Sequence, residues 1–133
     1  MLSKAPEKAA AAPLSQQRAD ELSEQCGKMS HEQFRRAWKD GSENTAQGKT
    51  TAEFKSHYNS NLNTCFYLLT VASDSTLKKM LFDINGGELY GEYLGPAAAQ
   101  PPTGSFPNTC RVEGLYCASA REWEVLVRAY FED

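Results

Sequence analysis

The first ordered stretch reads as helix. From Ser15 onward, Ala19, Leu22, Cys26 and Met29 fall on one stripe at helical spacing. Gly27 weakens the middle. Ser30 followed by Gln33 repeats the capping-box pattern, so a second helix carrying Phe34, Ala37 and Trp38 can start there. One kinked helix and two helices both fit, and Asp40-Gly41 ends either. Residues 41–52 are small and polar and read as an exposed loop.

Past Thr51 the period changes to two. Ala52, Phe54, Ser56 and Tyr58 form one face of a first strand, and Asn59 to Asn63 supply turn chemistry. Thr64 to Ala72 is the strongest strand. Cys65, Tyr67, Leu69 and Val71 point one way, and Phe66, Leu68 and Thr70 the other. Apolar residues on both faces predict a central strand covered on both sides. After Ser73-Asp74-Ser75 a third strand alternates, with Met80, Phe82 and Ile84 inward against Lys79 and Asp83. Asn85-Gly86-Gly87 predicts a tight hairpin with positive φ at both central positions. Glu88 to Leu94 returns as the partner strand, with Leu89 and Tyr93 on the face opposite Tyr90 and Leu94.

The Pro- and Gly-bearing stretch 95–109 predicts no regular element, and Cys110 to Cys117 reads as a short linked segment. Ser119 and Glu122 then make a capping box. Trp123, Leu126, Val127, Tyr130 and Phe131 follow as a helical apolar stripe that needs a surface to bury against. The expected fold is α+β: an N-terminal helical segment, an antiparallel meander of about four strands, and a C-terminal helix packed on the sheet. Residues 1–14, built of Ala, Lys and Pro, read as a flexible leader, and 15–133 as one domain.

Composition sharpens this reading. Leu, Ile, Val and Phe number only 23 of 133 residues, 5 of them before residue 62. The second half therefore carries most of the core. Net charge is −3, +1 over residues 1–61 and −4 over the rest, and no Lys/Arg run exceeds two. Such a balance does not suit a phosphate backbone, so nucleic acid is excluded as the expected partner. No apolar run is long enough to span a membrane.

The four cysteines change the picture most. They allow three pairings. Six residues around Gly114 separate Cys110 from Cys117, close enough to clip a loop, which leaves Cys26 for Cys65. Two staples suit a chain poor in large apolar groups, and they need an oxidising compartment. Met1 to Lys4 lacks the apolar segment of a secretory signal. The expectation is thus a periplasmic or secreted protein whose signal has been removed ahead of these residues, with a lipid tether upstream as a compatible variant. Closely paired metal ligands such as C-x₂-C are missing, and Cys65 sits in an apolar strand that makes a thiol inert, so neither a metal nor a cofactor is expected.

His57, Tyr58 and Asn59 are the candidate interaction residues: a polar, aromatic stretch beside the core strand, able to hydrogen-bond a ligand at a strand end. Asp83, Glu88, Glu92 and Glu113 are the carboxylates available for paired acid–base work, but they read better as the solvated side of a hairpin. No G-x-S-x-G, phosphate-cradling loop or H-E-x-x-H occurs.

The pattern His57-Tyr58-Asn59, Leu62-Asn63, Cys65-Phe66, followed by Cys117, Ser119, Glu122-Trp123 and Tyr130, resembles a loose group of small uncharacterised exported bacterial proteins, many of them lipoproteins. The resemblance covers roughly residues 20–94 and, more weakly, 110–131. It implies export and a Cys26–Cys65 pairing, and it implies no catalytic residue. The expected function is a non-enzymatic, monomeric envelope-associated domain that binds a protein or small ligand. The competing expectation is an enzyme or enzyme inhibitor. It requires a deep pocket holding His57 or a carboxylate with a strongly displaced pKa.

Overall fold

A computed structural model of the chain describes residues 15–45, 48–96 and 107–132. The leader 1–14 and most of the Pro-rich stretch, 97–106, lie outside the described residues. The chain forms helix α1 (Gln16–Trp38), strands β1 (Ser42–Thr45), β2 (Gly48–Asn59), β3 (Thr64–Ala72), β4 (Thr76–Asp83), β5 (Leu89–Pro96), β6 (Thr109–Val112) and β7 (Leu115–Tyr116), then helix α2 (Ala120–Arg128), continued by a 3₁₀ turn, Ala129–Phe131. The strands make one sheet in sequence order, each antiparallel to the next. The α+β meander with a helix at each end is the fold expected from the sequence.

The strand count is seven where about four were expected. The expected four are β2 to β5. Polar β1 lies in the stretch read as a loop, and β6 and β7 in the segment read only as linked. Gly95 and Pro96 belong to β5 and Thr109 to β6, so the irregular stretch is shorter than 95–109.

Helix α1 is a single helix. The Ser15 side chain accepts from the Arg18 N–H at its start. Gly27 and Ser30 lie inside it, and Ser30 is buried with its Oγ 3.8 Å from Cys65 Sγ. The inward ladder is Leu22, Cys26, Ser30 and Phe34, four residues apart, while Met29 is exposed, off the stripe expected for it. At the exit Gly41 has φ +89°, and a Cβ there would sit 2.9 Å from the Ala52 carbonyl, an approach that only glycine permits.

The sheet is covered on both faces, by different helices. On one face α1 packs on β2 and β3, where Phe34 meets Phe54, Tyr67 and Leu69. On the other, α2 packs on β5 and β6, and its 3₁₀ extension reaches β2. Phe66, Leu68, Leu81, Tyr93, Val112, Trp123 and Val127 form that second core. β3 thus feeds both cores by simple alternation, as its sequence predicts. β4 also serves both: Leu81 is fully buried under α2, although only the Met80 face was expected to be inward.

A bulge corrects the expected facing of β5. Leu81 pairs with Gly91 and Phe82 with Leu89, so Tyr90 is the extra residue. Tyr90 therefore joins Tyr93 in the α2-side core rather than opposing it. The preceding turn is also looser than expected: only Gly87 has positive φ (+73°), and the Asp83 carboxylate accepts from the Asn85 N–H.

Both cystine bridges are present, Cys26–Cys65 with Cα atoms 5.5 Å apart and Cys110–Cys117 with Cα atoms 5.1 Å apart. The first joins α1 to the start of β3. The second clips the β6–β7 hairpin at the foot of α2.

Candidate functional site

The three candidate residues alternate along the end of β2 and do not converge. Tyr58 points toward α1, is buried against the Cys26–Cys65 bridge, and donates to Asn63 Oδ1 at 2.6 Å. Asn59 is buried beneath the chain end. Its Nδ2 donates to the Tyr130 and Glu132 carbonyls (3.1 and 3.3 Å), and its Oδ1 accepts from the Leu62 N–H. Both side chains have their hydrogen bonding accounted for by the fold itself. His57 is half-buried on the α2 side, with its ring 5.9 Å from that of Phe131.

Phe131 leads to the more informative feature. A cleft of about 380 Å³ runs between α2 and the adjoining parts of β2, β3 and β4. Its apolar lining comes from Leu68, Trp123, Val127 and Phe131. Its charged groups are three cations, Lys55, Lys79 and Arg128, against two carboxylates, Glu53 and Glu124. The cleft is therefore net positive on a chain whose net charge is −3. Its volume lies in the range of small-ligand sites.

Local structure explains each position. Glu53, Lys55 and His57 are alternate residues of β2 and share the α2-facing side. Glu124 and Arg128 stand one turn apart on α2, each following a residue of the buried Trp123–Val127 pair. Lys79 lies on β4 opposite Thr70 of β3. It donates to Glu124 Oε2 at 2.6 Å with its side chain 14% exposed, closing one wall of the cleft. Lys55 holds its Nζ 5.5 Å from the centre of the Phe131 ring, a cation–π arrangement. Among the described residues no carboxylate pairs with Lys55 or with Arg128.

His57 stands out in the sequence, whereas Glu53, Lys55 and Arg128 do not. A signal was present, because Glu53 and Lys55 share the His57 face and the apolar stripe of α2 had to land on it. The meeting of β2 with Arg128 is a matter of helix placement and is not written in either segment alone.

Two of the carboxylates singled out from the sequence do structural work. Glu92 and Arg111 pair across β5 and β6 at 3.2 Å, and Asp83 holds the β4–β5 turn. Glu122 accepts from the Ala118 N–H at 2.7 Å, one residue earlier than a capping box requires, while Ser119 accepts from the Glu122 N–H. Among the described residues no group of three or more His, Cys, Asp and Glu side chains is placed to hold a metal ion.

The groups whose pKa is displaced are tyrosines. Burial pushes Tyr67 up to about 12, between the rings of Phe54 and Phe82. Burial also raises Tyr90, Tyr93 and Tyr130, with Glu88, Asp83 and Glu113 adding to the effect at Tyr90, and Glu113 and Tyr90 at Tyr130. A raised acid binds its proton more tightly in the folded state than in the unfolded one. Stability is therefore full below about pH 10 and falls as the pH rises from about 10 toward 12. Urea midpoints measured from pH 9 to 11.5 are expected to decline above pH 10, and Tyr67→Phe is expected to flatten that decline. A flat profile in the unmodified protein contradicts the expectation.

These features define an α+β domain with one meander sheet between two helices, two cystine staples and a positively charged cleft. Neither a protein-family model, nor a curated protein, nor a solved structure matches the chain.

Proposed function

We propose that this chain is an exported, non-catalytic binding domain, working as a monomer in the periplasm or outside the cell, with the α2-side cleft as its ligand-facing surface. It belongs, on this reading, with the small exported bacterial proteins that its His57–Phe66 motif resembles. The observation that carries the proposal is that all four cysteines are consumed in two bridges and none is free. Reducing compartments do not sustain such bridges in most organisms. Among the described residues no helix is long and apolar enough to cross a membrane, which is compatible with a domain held outside the bilayer. The cleft supports the binding part: an aromatic lining, two cations without a carboxylate partner among the described residues, and a small-ligand volume gathered in one place.

The test is intact mass after alkylation without reductant, on freshly prepared protein. The expected result is no alkylation and a mass four hydrogens below the reduced chain, for two bridges. Four alkylated thiols would overturn the export reading.

A further inference from the structure

The margin of the cleft has an open sheet edge. β1 pairs only with Gly48 to Thr51 of β2, while β2 continues to Asn59. The Ala52 N–H points away from β3, toward the Gly41 carbonyl that it donates to at 2.7 Å. By the two-residue repeat of an antiparallel strand, the N–H and C=O groups of Phe54, Ser56 and Tyr58 point the same way. Among the described residues no strand pairs with that edge. The intervening residues Glu53, Lys55 and His57 send their side chains to the α2 side, the first two into the cleft.

We propose that this edge and the cleft form one site, and that its occupant is an extended acidic peptide segment of a partner protein, added as a strand beside Phe54–Tyr58. The inference rests on the binding-domain reading above and names its ligand class. Main-chain hydrogen bonds along the edge supply sequence-independent affinity. A residue directly opposite Lys55 would have its Cβ about 5 Å from that of Lys55 and on the same face. A glutamate there reaches Lys55, and Arg128 lines the same cleft with no carboxylate partner among the described residues. Lys55 on a bare edge deters addition of unselected strands. An acidic partner turns that deterrent into a selector. Glu53 repels an acid at the other end, which fixes the acidic position toward the His57 half of the strand. The chain's own segments outside the described residues do not offer this chemistry: 46–47 carry no charge and Asp133 is a single residue, too short to add as a strand. Residues 1–14 carry Lys4 and Lys8 against Glu7 alone, and 97–106 carry no charge.

The experiment titrates the full, oxidised chain with an acetylated and amidated heptapeptide in which two glutamates alternate with valine and threonine. Binding and backbone amide exchange are followed by NMR. The expected result is saturable submillimolar binding, weakened by added salt, with slowed exchange at the Phe54, Ser56 and Tyr58 amides. Lys55→Glu/Arg128→Glu is expected to weaken binding about tenfold or more. So is replacing the two glutamates by lysine, or N-methylating the peptide on the amides of the pairing edge. Lys55→Gln/Arg128→Gln serves as the milder variant if the charge reversal perturbs folding. The proposal is overturned by no binding at about 5 mM peptide, by full retention with the N-methylated peptide, or by binding without protection of the three amides. It is also overturned if free glutarate binds as well as the peptide, because recognition would then lie in the cleft alone. None of these outcomes alters the thiol mass, so this inference and the export reading fail separately.

Discussion

Replacing Cys26 and Cys65 together by alanine is expected to lower the thermal midpoint by about 15 °C. The bridge closes a loop with a sequence separation of 39, and the loop-entropy model assigns such a cross-link about 4 kcal/mol. For a chain of this length about 4 °C of midpoint accompanies each kcal/mol. Both sulfurs are buried, so the substitution also leaves a small void beside Tyr58 and Leu22. The second bridge closes a far shorter loop, with a separation of 7, and its removal is expected to cost about 2.5 kcal/mol. Calorimetry on the two paired variants checks both size and order. A loss below about 4 °C for Cys26/Cys65, or a larger loss for Cys110/Cys117, would show that α1 is held to the sheet by its apolar ladder rather than by the bridge.

Trp123→Ala is the most damaging single substitution expected, at about 3–5 kcal/mol. Trp123 is the largest fully buried side chain and stands at the centre of the α2-side core. Its indole lies tilted against the Tyr93 ring, at 6.4 Å between centroids, and its Nε1–H donates to the Arg111 carbonyl at 3.0 Å. That bond fixes α2 over β6, and the same ring lines the cleft. Truncation therefore empties a core position, removes a hydrogen bond to the Arg111 carbonyl and loosens the cleft wall at once. Trp123→Phe separates these effects. It keeps most of the apolar bulk and loses the donor, at an expected cost of about 1–3 kcal/mol. Urea unfolding of both variants is the measurement. Equal costs would mean that the hydrogen bond, not the packing, holds the helix; a cost under about 1 kcal/mol for alanine would remove Trp123 from the core argument altogether.

Much of this architecture is legible in the residues, for reasons that differ by element. β3 is readable because two alternating apolar sets can be satisfied only by cover on both faces, and α1 and α2 provide it. The closing helix is readable because Ser119 and the 123/126/127/130/131 stripe are local signals of start and face. The polar strand β1 is not readable, since it is made by main-chain pairing with β2 and buries no apolar row. The bulge at Tyr90 is hidden likewise, because one extra residue changes every facing beyond it and leaves no mark in composition. Helix α1 runs on through Gly27 with Cys26 and Ser30 both facing Cys65, a tertiary contact that local sequence signals do not carry. For the site, the sequence offered His57 as a chemical residue. Lys55 and Arg128 are 73 positions apart in the numbering and line one cleft only because α2 crosses the sheet.

The connectivity of the sulfur bridges has a bearing on how the molecule is made. Each joins a cysteine to the next one along the chain, first Cys26 to Cys65 and then Cys110 to Cys117. If the chain is exported as proposed, threading through a pore from its amino terminus, the earliest partner that each thiol meets is then already the right one. An oxidase acting on the emerging chain can complete the native set in order of arrival, with no later isomerase step to undo a wrong match.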